Sequence, residues 1–141
     1  MRLPCLLTGC ISHTGKSYCY LGLGNLKQGS NLTIEVMFRV LMDTVETKGR
    51  SPPICYLQLD NTVKQCKNKF IIGWLGLLVG CGVFKKILVT YLPVGHTHED
   101  IDALFGVIAN QIKGRDAVSR LAMAREIRET CKSLDAQGNP E

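Results

Sequence analysis

The sequence has 141 residues, 45% of them hydrophobic and 21% charged, with 14 Gly and 5 Pro. That is enough chain for one domain with a buried core, and the composition excludes a disordered tail, a collagen-like repeat and a low-complexity linker. The 17 Lys and Arg outnumber the 12 Asp and Glu, giving a formal charge of +5, and residues 1–113 carry the excess. Such a balance permits an acidic partner, nucleic acid included, without requiring one.

In chain order, residues 6–12 and 17–23 are rich in apolar, Tyr and Cys residues and flank His13-Thr14-Gly15-Lys16, which predicts an antiparallel hairpin. Ser30 or Asn31 can cap a helix whose Ile34, Met37, Phe38, Leu41 and Val45 share one face, and Lys48-Gly49 stops it. Pro52-Pro53 leads into a strand over 54–59, closed by Asp60-Asn61. A second helix is expected from about Val63 through the apolar block 70–84 to Gly80–Gly82. This block is shorter than the roughly 20 residues that span a bilayer, so it reads as a buried helix. Residues 87–92 read as a buried strand closed by Pro93 and Gly95. Thr97 and Asp100 form a capping box ahead of Ile101, Leu104, Phe105, Ile108 and Ile112, a helix ending at Lys113-Gly114. A last helix over about 116–133 shows a stripe of Ala117, Leu121, Ala124, Ile127 and Cys131, and residues 135–141 read as a disordered tail. The order β-β-α-β-α-β-α-α predicts an α/β domain, a mixed sheet flanked by helices. Its expected parts are a core over 1–113, a C-terminal helix over 114–134 and the tail.

Seven cysteines, an odd number without C-x-x-C spacing, mostly lie in apolar runs. Thiols of a reducing compartment explain them better than a disulfide framework, which predicts an intracellular protein. The start at residues 1–7 resembles a charged n-region, but its apolar run is short, broken by Pro4 and Gly9, and lacks a cleavage site, so it does not read as a signal peptide. The sequon Asn31-Leu32-Thr33 carries no meaning in such a compartment.

Two places hold polar residues that packing alone does not demand. Asp60 follows a strand, and ligand sites of α/β sheets lie outside the carboxyl ends of strands. An Asx turn or helix cap is the plainer explanation of Asp60-Asn61. Beyond it, Asn61, Gln65 and Asn68 recur at helical spacing with Lys64, Lys67 and Lys69 beside them. They form either a solvated first turn or a basic lip for a phosphate backbone. The second place is the run from Gly95 to Asp102, with His96, His98, Glu99, Asp100 and Asp102. Capping and the helix dipole explain Thr97, Glu99 and Asp100. Asp102, about 100° round the helix from Ile101 and four residues after His98, is left for function, with Asp100 and Glu99 as alternatives. Two carboxylates meeting at one sheet end, Asp60 and Asp102, suit Mg²⁺ or Mn²⁺, with His96 and His98 as further candidate ligands. Such ions beside a basic lip point to phosphoryl transfer on a polynucleotide. Zinc on His96-x-His98 lacks an evident third ligand.

The segments Leu57-Gln58-Leu59-Asp60-Asn61, Lys67-Asn68-Lys69 and 92–105 (LPVGHTHEDIDALF) resemble a domain family of transposon-like, multicopy eukaryotic proteins. That family in turn resembles the ribonuclease H-like fold of DDE/D transposases and integrases. The resemblance implies that the hairpin supplies the second and third strands, 54–59 the fourth and 87–92 the fifth. Asp60 then matches the second acid and Asp102 the third. Nothing here matches the first acid or the first, central strand, so the chain is expected to be an N-terminally truncated fragment, inactive alone. The resemblance implies metal-dependent phosphoryl transfer on DNA in the intact family member, with Mg²⁺ or Mn²⁺ as cofactor, and a nuclear location. The partners it implies are DNA and either a second copy or a missing upstream segment. Two other readings stand beside it: a non-catalytic nucleic-acid-binding or assembly module, and a transposon relic without function.

Overall fold

The computed structural model describes residues 5–13, 16–23, 26–93, 100–113 and 120–132. Its elements run β1 (Cys5–Ser12), β2 (Lys16–Leu23), α1 (Ser30–Lys48), β3 (Ile54–Leu59), α2 (Lys69–Gly80), β4 (Lys86–Tyr91), α3 (Asp100–Ile112) and α4 (Arg120–Lys132). This is the order that periodicity and turn residues predict, and the class is mixed α/β. The strands do not form one mixed sheet. Among the described residues they make two two-stranded sheets, β1 with β2 and β3 with β4, because no strand hydrogen-bonds to both pairs. The chain divides into two compact units, Met1–Leu26 with Thr97–Glu141, and Lys27–His96.

In the first unit β1 and β2 pair antiparallel, from Cys5 opposite Leu23 to Ser12 opposite Lys16. Leu7, Ile11, Cys19 and Leu21 of this hairpin pack on a core of Leu104, Ile108 and Ile127 from α3 and α4. At Gly9 a Cβ would lie 2.7 Å from Ile101 Cδ1 and 2.8 Å from Phe105 Cζ, so a side chain there would force those two side chains of α3 to shift. On α4, Met123 and Ile127, four apart, share the line that meets the core. Leu121 of the expected stripe lies about 120° from Ile127 at helical spacing and is exposed.

In the second unit β3 and β4 run parallel, from Ile54 beside Lys86 to Leu59 beside Tyr91, with α2 in the crossover between them. Leu57 and Leu59 of β3 and Ile87 and Val89 of β4 pack under Met37 of α1 and Ile71 and Leu75 of α2. The opposite side of the sheet carries Ile54, Tyr56, Lys86 and Thr90, all exposed, so β4 is covered on one face instead of being a wholly buried strand. Along α1 the buried residues are Val36, Met37 and Val40, while Phe38 points outward. The inward face is thus turned from the one expected through Phe38. Gly49 ends α1 as its spacing predicts, in the left-handed region at φ 73°, with its N–H donating to Val45 O at 2.7 Å. The start of α1 differs from expectation: Gly29 holds the cap position, and the Ser30 hydroxyl is spent elsewhere.

α2 begins at Lys69, six residues later than about Val63, because residues 63–66 form turns closed by other bonds. Its apolar block is not buried all round. Ile71, Leu75 and Phe84 are inside, whereas Phe70, Ile72 and Leu77 face outward. Among the described residues no helix is long and apolar enough to cross a membrane.

Candidate functional site

Asp60 stands one residue past the carboxyl end of β3, exposed, at the end of the sheet where β4 also finishes. Residues 60–68 form a pinned loop. Thr62 O accepts from both Cys66 N (2.8 Å) and Lys67 N (2.9 Å), which folds the chain into a tight turn directly after Asp60. Asn68 then does three things at once. Its Oδ1 accepts from Phe70 N and Ile71 N at 3.1 and 3.2 Å, capping α2. The same oxygen accepts the Ser30 hydroxyl at 3.0 Å, joining this loop to the first turn of α1. Its Nδ2 donates to Val63 O at 2.9 Å. Gln65 Nε2 donates to Gln28 Oε1 at 3.2 Å, a second tie from the loop to the approach of α1.

The helical stripe of Asn61, Gln65 and Asn68 is therefore corrected. Asn61 and Gln65 precede the helix, and Asn68 is its cap, so the three do not line one helix face. Lys64, Lys67 and Lys69 are exposed, as a basic lip needs. Lys67 lies over the Tyr91 ring with Nζ 5.5 Å from the centroid, which holds one of these cations at the end of β4. Sequence reading missed Tyr91. Its position became clear only from the register, which sets Tyr91 beside Leu59 at the ends of the two strands. Cys66, buried beneath the loop, has its thiol pushed up by burial, and the negative charge of Asp60 adds to this. A thiol so held is not a nucleophile.

Asp102 and Asp100 lie exposed in the first turn of α3, where carboxylates suit the positive end of the helix dipole. Asp102 belongs to the unit of Thr97–Glu141 and Asp60 to Lys27–His96, so the two candidate acids sit on different units. His96, His98 and Glu99 lie outside the described residues. Among the described residues no three His, Cys, Asp or Glu come together as a metal site. Within its unit, Asp60 is the carboxylate at the carboxyl end of the parallel strand pair, followed by the lysine-bearing loop.

A family model described as a domain of unknown function, DUF7869, matches residues 1–139. The chain belongs to the DUF7869 family. Among curated proteins and among solved structures, nothing matches it. Whatever this DUF7869 domain does must therefore be argued from its own residues.

Proposed function

We propose that this chain carries part of a DDE-type, transposase- or integrase-like nuclease domain of ribonuclease H-like fold, acting on DNA inside the cell and in the nucleus. The observation that supports this reading best is Asp60, directly past the carboxyl end of the first strand of a parallel β-α-β unit, where α/β folds place their ligands. Around it stand Lys64, Lys67 and Lys69 as the groups that would meet phosphate oxygens. Asp60 and Asp102 are the proposed second and third acids, and Mg²⁺ or Mn²⁺ the proposed cofactor, with His96 and His98 as further ligand candidates. The ion would polarise the phosphoryl oxygen and activate the attacking hydroxyl. Residues 1–141 hold no counterpart of the first acid, so the chain by itself is expected to bind and not to cleave.

The test is a titration of the chain with Mn²⁺, followed by electron paramagnetic resonance, with DNA binding measured in parallel. Asp60→Asn and Asp102→Asn are each expected to weaken Mn²⁺ binding by at least tenfold. Unchanged Mn²⁺ affinity in both variants would overturn the assignment. A second reading, a non-catalytic nucleic-acid-binding module, is favoured by the lysines alone. It predicts DNA affinity that survives both Asp changes, needs no metal and falls with salt at a log–log slope of about −3 for three phosphate contacts.

A further inference from the structure

The outer side of α2 is the least expected surface in the molecule. Residues 70–84 contain no charged or strongly polar side chain, although only one side of the helix is covered, by the core around Ile71 and Leu75. A surface helix ordinarily turns polar residues outward. Here the outward residues include Phe70 (61% exposed), Ile72 (51%) and Leu77 (61%). Gly73, Gly76 and Gly80 accompany them, and a Cβ built on any of the three meets nothing within 4 Å. Glycine opposes helix formation, and three in a twelve-residue helix need a reason. Among the described residues, nothing lies within 4 Å of the space they leave.

Charge says what kind of partner fits. Lys67 and Lys69 stand at one end of α2, and Lys85 just beyond the other, all exposed. No Asp or Glu occurs from residue 61 to residue 98. The first turn of α2 contains no acid, so its lysines add to the positive end of the helix dipole. We propose that the outer face of α2 docks a helix of a partner protein, small and apolar along its middle and carrying carboxylates at both ends, about 18 Å apart. A second copy of this chain fits badly, because parallel or antiparallel pairing of two α2 helices would set lysines against lysines. A lipid surface would gain nothing from the glycines, which add no apolar area; another backbone coming close would. This inference shares Lys67 and Lys69 with the nucleic-acid reading but needs neither Asp60 nor a metal.

The experiment uses a labelled helical peptide with an Ala/Leu stripe between paired Glu about twelve residues apart, and a control peptide with Lys in place of Glu. Fluorescence anisotropy at low salt should show the Glu peptide binding at least tenfold more tightly than the Lys peptide. Gly76→Leu, which fills the outer face without touching the core, should weaken it at least tenfold while the chain still melts cooperatively. Replacing Lys69 and Lys85 by Glu should reverse the preference to the Lys peptide, a result that misfolding cannot give. Equal binding of both peptides, binding of neither, or no effect of Gly76→Leu would overturn the proposal. So would a dimer that Gly76→Leu dissolves, which would assign the face to a second copy. Partition onto anionic vesicles that Phe70→Ser abolishes, with the peptides inert, would assign it to lipid and overturn the proposal as well.

Discussion

Asn68 links three pieces of chain through one side chain. Its oxygen caps two N–H groups of α2 and accepts the Ser30 hydroxyl of α1, while its amide nitrogen ties the preceding turn. Asn68→Ala removes the cap and leaves the Ser30 hydroxyl and the Val63 carbonyl to find other partners. The expected cost is about 1–2 kcal/mol in urea unfolding. Asn68→Asp keeps the accepting oxygens, adds a negative charge that suits the helix start, and should recover most of that loss. Equal destabilisation by Ala and Asp would show that the capping oxygen is not what matters. The same residue shows how a candidate phosphate contact can be a scaffold: its hydrogen bonds hold Lys67 and Lys69 in place instead of reaching outward.

At the scale of elements, α2 combines the strongest hydropathy in the chain with the poorest helix formers. Ile71 and Leu75 hold it to the sheet, and burial at these positions offsets what Gly73, Gly76 and Gly80 lose. Because a Cβ at Gly73 or Gly76 meets nothing, either Gly→Ala change should stabilise the chain by roughly 0.5–1 kcal/mol, read as a higher urea midpoint. A lower midpoint would mean that something already fills the outer face. Gly82 is different: at φ 75° an alanine there would be strained however much space it had. The parallel pair also shows why β4, a continuous apolar run, is covered on one face only. Ile87 and Val89 meet the helices, and Lys86 and Thr90 lie on the open side.

At the scale of the molecule, the described residues form one core around Met37, Ile71 and Leu75 and another around Leu104, Ile108 and Ile127. Each has its own two-stranded sheet, and a pair of strands is only marginally stable without helices packed on it. Ile71 is 0% exposed, so Ile71→Ala should cost about 2–4 kcal/mol. In native-state hydrogen exchange, protection should fall in α1, α2, β3 and β4 before it falls in α3 and the hairpin. A uniform loss over both units would show that the cores unfold as one.

What the sequence determined by itself was local. The hairpin lies between its turn residues, β3 runs between Pro53 and Asp60, and Gly49 stops α1, because each depends on backbone preferences of residues adjacent in the chain. The placement of Asp60 past a strand end was legible for the same reason. Tertiary structure decided everything that spacing left degenerate. Asn61, Gln65 and Asn68 fit a helix and a capped turn equally well, and the bond from Ser30, 38 residues away, helps to fix the turn. On α1, Phe38 and Val36 are both apolar, and only packing could choose Val36 for the interior. Chain order foretold the strands, and with no match to a central strand the hairpin and the pair over 54–59 and 87–92 were left without a shared neighbour, as the two sheets show. That division, with the two units it accompanies, places Asp60 and Asp102 on different bodies, which no pattern along the chain could reveal.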